Sequence, residues 1–555
     1  MIAPSETTVH VSPEPAAVPE HTDRLVIEHA ARTQAAVKRL GRALAEIQRK
    51  CPTLPVRAIH WMYAKHPIHP VQDEMLRQHE AGHAAGSPVG SVRRPSAARL
   101  IGRYLLCWCY AGYLTLRLLQ VRWQLRRHAA LLRRQSFDLV AKTWRFGPTQ
   151  PRDGSDFYYG DLQRRFAARG ARLLLLNGNA HGRGWGVFAV GNVSVTCPWQ
   201  IPEWCLVPLT APYAMALQQL RTFFRLRRLV SSLSDPLSRQ VAERASWECL
   251  SRQVTPVGLF GWLGEVIVRQ WHPRALLALY EGHGWEQCLW WGAKRADPSC
   301  RSVGYQHTIL LPHNLALLGT QEEASLTQPD VVLCLGPRMQ TMLQPNHPHS
   351  ALLNFGTIRV SPETAVRQPP RPGQPAVLVL PEGLIDEEQL IYNFALRAAR
   401  RLPQCHFIFR RHPMYLFDER LRRVLTEDPA SVPNVEISEG RPIDEDFARA
   451  SIVLYRGTSS ALYAVLKGLK PVYLYDPAHH EVDPLFELDG WRERIGSVDE
   501  LAEVVERYSG TSAEEAAPAW REAASYVEEC LKPVDDASIS ALLAAVGLAP
   551  EGRPR

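Results

Sequence analysis

Residues 451–474 read SIVLYRGTSSALYAVLKGLKPVYL. An apolar run ends at Tyr455 and is too short for a buried helix, so it reads as a fully buried strand. Arg456, Gly457, Thr458, Ser459 and Ser460 form a short loop, a helix follows at once, and PVYL begins the next strand. Strand, helix and strand at this spacing indicate parallel strands in a sheet covered on both faces. At the loop, helix N–H groups and the positive end of the helix dipole meet three hydroxyls, an arrangement that suits an anionic phosphate. The plainer role for Ser459 is a helix cap.

The same alternation extends outward. AVLVLPEG (376–383), CHFIFRRHP (405–413) and VEIS (435–438) read as strands with exit loops. DEEQLIYNFALRAARRL (386–402), PIDEDFARA (442–450) and DELAEVVERY (499–508) read as helices. Asp444, Glu445 and Asp446 open one of these helices, where acids favour the dipole, and are read that way rather than as metal ligands. N-terminal to them, SPETAVRQPPRPGQP (361–375) is a Pro-rich linker that neither domain can grow through. Before the linker the pattern repeats. SFDLVAKTW, ARLLLLNGN, ALLALYEG, RSVGYQHT, PDVVLCLG and SALLNFGTI are strands, and DFYYGDLQRRFAARG and WEQCLWWGAKRAD are helices. The organisation expected is a tail over 1–22, a basic helical region over 23–136, an α/β domain over 137–360 and the linker over 361–375. A second α/β domain follows over 376–510, then a helical tail over 511–555. Two such domains form a bilobed molecule with its ligand in the cleft, beyond the carboxyl ends of the strands.

Composition bounds the function. With 555 residues, 46% of them apolar and 22% charged, the chain is an ordinary multidomain globular protein rather than a disordered or fibrous one. Eleven scattered Cys, an odd total without C-x-x-C, speak against a secreted disulfide scaffold and for a reducing compartment. The first residues hold no apolar segment of signal-peptide type, and a cytoplasmic location is expected.

The net charge of +8 is concentrated. Ten Arg and no Asp, Glu or Lys lie between Arg93 and Arg134, so the rest of the chain is close to neutral. That local excess indicates a surface rather than nucleic acid as partner. Tyr104–Leu116 is uncharged but short of the roughly 20 residues needed to span a bilayer. Arg99, Arg103 and Arg117 share one helical face beside Trp108 and several Tyr. Residues 98–134 therefore read either as a helix lying on an anionic membrane, at the inner face, or as a helix packed on the domain behind it with Arg stems covering apolar surface.

Five strand exits carry candidate chemistry. Glu281 follows ALLALY and precedes two glycines and a helix; partial desolvation there raises a carboxylate toward the range of a general base. Glu286, one turn into the helix, assists or orients it. Gln306 and His307 leave the next strand on the acceptor side. In the second domain Arg410, Arg411, His412 and Pro413 can hold a nucleotide phosphate or balance a leaving group. Glu382 and Gly383 occupy the exit equivalent to that of Glu281, where they can touch a donor sugar or base, and Gly457, Thr458, Ser459 and Ser460 form the proposed anion cradle. No P-loop is present.

Glu281-Gly282, His412-Pro413 and Ser459-Ser460, in this order, resemble the motif series of bacterial sialyltransferase-like and capsule Kdo-transferase-like enzymes. YEGHGWEQ and GYQHT resemble a group of surface carbohydrate biosynthesis proteins. The resemblance covers about residues 137–510 and leaves the first 136 without a counterpart. It implies a GT-B fold of two Rossmann-like domains, here with a helical N-terminal extension. It implies a CMP-activated acidic sugar such as Kdo or a nonulosonate as donor, a surface-glycan or lipid-linked acceptor, inversion, and no metal or other cofactor. Under it Glu281 is the general base, His412 contacts the CMP phosphate or ribose, and Ser459 and Ser460 bind the phosphate. Arg-Arg before His-Pro and Tyr280 before Glu281 depart from the pattern and leave the donor open. A UDP-sugar or CDP-polyol transferase, or a non-catalytic sugar-nucleotide-binding scaffold, remains an alternative.

Overall fold

A computed structural model describes residues 38–59, 71–72, 74–75, 96–126, 132, 134–145, 155–179, 199–311, 314, 317, 328–358, 367–373, 375–411, 417–477, 479 and 481–548. The expected tail at 1–22, part of the basic segment, and His412 and Pro413 lie outside these residues.

The first domain holds seven parallel strands: β1 (Leu139–Arg145), β2 (Leu173–Asn179), β3 (Gln200–Pro202), β4 (Ala275–Leu279), β5 (Arg301–Tyr305), β6 (Val331–Cys334) and β7 (Ala351–Asn354). They lie in the order β3-β2-β1-β4-β5-β6-β7. The second holds β8 (Ala376–Leu380), β9 (His406–Phe409), β10 (Val435–Ile437), β11 (Ile452–Tyr455), β12 (Lys470–Leu474) and β13 (Glu493–Ile495). All are parallel, in the order β10-β9-β8-β11-β12-β13. Both are Rossmann-like orders, so the expected fold class of two parallel-sheet domains stands. The central strands β4 and β8 are buried at every position, which is why they read as unbroken apolar runs. The three-residue edge strands β3 and β13 give no such run, and the sequence pattern does not reveal them.

The helices that matter for the site are α1 (Ala97–Leu125), α2 (Leu162–Ala167), α3 (Ala211–Ser232), α4 (Pro236–Glu248), α5 (Val254–Trp271), α6 (Gly284–Ala296) and α7 (Pro337–Leu343) in the first domain. The second contributes α8 (Ile385–Arg401), α9 (Ile443–Arg449), α10 (Ser460–Leu466), α11 (Val498–Gly510) and α12 (Ala513–Cys530), and α13 (Asp536–Ala545) closes the chain. The helix expected from Asp156 begins only at Leu162. The Asp156 carboxylate accepts from the N–H groups of Tyr158 and Tyr159 and from the Thr143 hydroxyl, and so makes a turn there. Helices α5 and α6 lie backbone to backbone: a Cβ on Gly292 would stand 1.8 Å from the carbonyl oxygen of Gly261.

The C-terminal region, expected as a helical tail, is helical and packs on both domains. Helix α12 docks on the second domain through Trp520, whose indole N–H donates to the Val465 carbonyl at 2.8 Å. The chain then crosses, and α13 returns to the first domain, where Asp536 pairs with Arg165 and Arg169. Helix α1 packs on the domain behind it, one of the two readings its sequence allowed. Leu114, Leu118 and Val121 join the first-domain core, Arg117 is buried, and Arg103 and Arg122 donate to the carbonyls of Trp247 and Val207. Arg103, Arg117 and Arg122 thus turn toward the domain and Arg99 stays exposed, while Ile101, Leu105, Trp108, Leu116, Leu119 and Trp123 form an exposed apolar stripe. Among the described residues no helix is long and apolar enough to cross a membrane.

Candidate active site at the two switch points

In each sheet the strand order reverses once: between β1 and β4, and between β8 and β11. Helices leave in opposite directions on either side of such a point and open a crevice at the carboxyl ends of the strands, where α/β proteins bind ligands. Glu281 follows β4 at the first point. Glu382-Gly383 and Gly457–Ser460 follow β8 and β11 at the second.

At the first point the Glu281 carboxylate, 12% exposed, directs one oxygen to His283 Nε2 at 3.1 Å and the other to His307 Nε2 at 3.4 Å. His307 leaves the adjacent strand β5, and the ring of Tyr158 stands edge-on to it, centroids 4.7 Å apart. Below the loop the Glu286 carboxyl accepts from the N–H groups of Glu281 (3.2 Å) and Gly282 (3.0 Å). Glu286 is wholly buried. Burial first, and then the charge of Glu281, push its pKa well above the ordinary range, against the pull of the N–H groups. It therefore orients the Glu281 turn and does not reach an acceptor. Gln306 is buried too; its carbonyl accepts from the Leu335 N–H at 3.0 Å and ties the β5 exit to the β6 exit. Of the four residues named in this domain, Glu281 meets the buried His307, and Glu286 and Gln306 build the wall behind them.

A buried charged group floors this site. Lys142 on β1 lies 3.4 Å from Glu203, both wholly enclosed, with the ammonium 2.7 Å from the centroid of the Trp144 ring. Burial lowers the Lys142 pKa to about 7 and raises that of Glu203, so the pair moves toward its neutral form.

At the second point Glu382 lies directly over Gly457. A Cβ there would meet the carboxylate oxygen at 2.5 Å, and φ is +63°. Thr458 is buried and Ser459 and Ser460 are half-buried. The first-turn amides are occupied within the loop: Ser460 N–H donates to Thr458 Oγ1 (3.3 Å), Ala461 N–H to the Thr458 carbonyl (3.2 Å) and Leu462 N–H to that of Ser459 (3.1 Å). Ser459 does not cap α10 with its side chain, and α10 has only seven residues. The hydroxyls, not a long helix dipole, are what this loop offers.

The basic exit after β9 serves its own domain. Arg411 grips the buried Glu388 with both arms of its fork at 2.7 Å and reaches Asp418 at 3.1 Å. Arg410 pairs with the buried Asp446 at 2.6 Å, and Asp446 also accepts from Ser438. Asp446 is thus an ion-pair partner and not only a helix-end charge. Arg456, wholly buried, pairs with Glu387 and donates to the Leu474 carbonyl, fastening β11 to α8 and β12. These guanidiniums pair with carboxylates near β9 and β11, which ties the exit loops to the neighbouring helices.

The two carboxyl edges approach each other beside these points. Arg338, just after β6, pairs with Glu487, which follows β12, at 2.7 Å and with Glu529 at 3.2 Å. The Leu335 carbonyl accepts from Lys532 N–H, and Thr357 N–H donates to the Lys532 carbonyl. Glu281 stands two strands from β6, about 10 Å along the sheet edge, and the Gly457 loop one strand from β12.

Sequence reasoning passed over His283, although it stands two residues from Glu281 in EGHGWE. Tyr158, Lys142 and Glu203 are brought in by the fold with no local signal. The stretch His79-Glu80-Ala81-Gly82-His83 has the H-E-x-x-H spacing of zinc sites, which the expectation of no metal did not take into account; it lies outside the described residues.

No family model matches the chain, and no curated protein matches it in sequence. Among solved structures it is similar to the glycotransferase of kitacinnamycin, with a TM-score of 0.43 and 14% identity over 74% of this chain and all of that one. It is similar to S. aureus MnaA solved with UDP, with a TM-score of 0.42 and 10% identity over 75% of this chain and 99% of that one. It is also similar to the UDP-GlcNAc 2-epimerase of Methanocaldococcus jannaschii, with a TM-score of 0.39 and 11% identity over 70% of this chain and 98% of that one. At these scores the likenesses carry no argument about activity or ligand.

Proposed function

We propose that the chain is a nucleotide-sugar-dependent, inverting glycosyltransferase of the GT-B type, moving an acidic sugar from a CMP donor to a surface-glycan acceptor. The observation that carries this reading is Glu281, set between two imidazoles at one switch point while a hydroxyl-lined loop stands at the other. In this reading Glu281 takes the proton of the acceptor hydroxyl as its oxygen bonds to the anomeric carbon. The bond from that carbon to the phosphate oxygen breaks, and the electron pair leaves with CMP. Thr458, Ser459 and Ser460 donate to the phosphate, and Glu382 and Gly383 face the sugar or base. His283 and His307 position the carboxylate, and closure at the linker excludes water from the donor.

The outer stripe of α1 supports peripheral attachment of residues 98–134 to the inner membrane face, where apolar side chains enter the interface. The chemistry needs no metal, so exhaustive chelation is expected to leave turnover unchanged; loss of turnover would give a metal a role, with His79 and His83 the first candidates.

A nucleotide thermal-shift series tests the donor. Stabilisation by CMP above UDP and CDP is expected. Preference for UDP or CDP would move the reading to a hexose or polyol-phosphate transferase. CMP binding with no donor consumed, even by hydrolysis, would move it to a non-catalytic scaffold.

A further inference from the structure

We propose that a cavity of about 540 Å³ between α3, the turn at 52–54 and α6 binds the phosphate of an anionic membrane lipid. The inference rests on the peripheral attachment just described and adds a specific site to it. Arg221, Arg225 and Arg228, spaced i, i+4 and i+7 on α3, line the cavity with Arg295 of α6, and no acidic residue lines it. None of the four is in an ion pair among the described residues, whereas Arg227 on the same helix pairs with Glu243 at 3.0 Å. The four arginines line one cavity with their side chains exposed, and their forks fit phosphate oxygens in bidentate fashion.

The surroundings identify the source of that phosphate. Tyr213 and Leu217 are exposed on α3 ahead of the cavity, and Tyr213 contacts Trp108 in the stripe of α1. Apolar surface therefore runs along α1 onto α3 and ends at the arginines, the order in which acyl chains and headgroups meet a protein at an interface. The site is separate from the catalytic one: from Gly284, beside Glu281, to Arg295 helix α6 runs about 16 Å.

The test is co-sedimentation of the full chain with phosphatidylcholine vesicles, with and without phosphatidylglycerol, at low salt. Three proteins are compared: wild type, Arg221→Gln/Arg225→Gln/Arg228→Gln, and the charge-matched Arg397→Gln/Arg420→Gln/Arg423→Gln. Wild type and the charge-matched control should bind the phosphatidylglycerol vesicles alike. The cavity variant should bind them on the order of a hundredfold more weakly, about fivefold per arginine, with unchanged binding to phosphatidylcholine alone. Equal binding by both variants would overturn the site and leave attachment standing; a wild type that sediments with neither vesicle would overturn both. Stabilisation by inorganic phosphate that the cavity variant loses, with vesicle binding intact, would assign the cavity to a soluble anion and overturn the lipid reading.

Discussion

The carboxylate of Glu281 lies 3.4 Å from the imidazole of His307, across the exits of two neighbouring strands, β4 and β5. Twenty-five residues of chain separate them, and the parallel register brings them together at the edge where the sheet changes direction. That edge is held from behind by buried groups, Glu286 and the Lys142–Glu203 pair.

Glu286 carries a pH signature. Its carboxyl is raised well above 4.5 by burial, so between that value and its folded pKa the native state binds more protons than the unfolded chain. The stability it contributes is full below about pH 4.5 and is lost as pH rises through the folded pKa. Glu286→Gln keeps an acceptor for the N–H groups of Glu281 and Gly282 and removes the titration. Denaturant unfolding across this range should show the fall in wild type and a flatter profile in the variant; identical profiles would mean the carboxyl is not protonated in the folded state.

Lys142 and Glu203 should behave as a unit. Lys142→Met alone leaves a carboxyl buried without its partner and is expected to cost about 3–5 kcal/mol. Lys142→Met combined with Glu203→Leu removes both groups and should recover most of that loss. A double variant as unstable as the sum of the singles would show that the two residues do not interact.

Gly457 is held by two constraints. Alanine there suffers the left-handed backbone, about 1–2 kcal/mol, and also collides with the Glu382 carboxylate. Gly490, at φ +82° with open space around it, isolates the first effect. Gly457→Ala should lose more stability than Gly490→Ala and should weaken nucleotide binding, which Gly490→Ala should not touch. Equal effects on both measurements would remove Glu382 and Gly457 from the donor site.

Much of the fold was legible because fully buried parallel strands leave an unmistakable trace: AVLVL, ALLAL and IVLY are apolar at every position, and a helix follows each exit. The candidate site was legible as a set of positions at strand exits, where chemistry gathers. What the strand pattern does not carry is the direction a side chain takes. Arg410 and Arg411 read as anion-binding because their partners, Asp446 and Glu388, sit on helices 36 and 23 residues away. The sequence left α1 open between a membrane surface and the domain behind it, because periodicity identifies a face without saying which neighbour covers it. Lys142 read as one polar residue in an apolar strand, and only the fold brings Glu203 beneath it.

The most direct measurement is turnover by Glu281→Gln with the preferred nucleotide-sugar donor, alongside the affinity of the free nucleotide. Glutamine keeps the shape of the site and cannot take a proton, so turnover should fall by about 10²–10⁴-fold while the nucleotide binds as in wild type. Turnover within a few-fold of wild type, at unchanged nucleotide affinity, would contradict the assignment of Glu281 as the base.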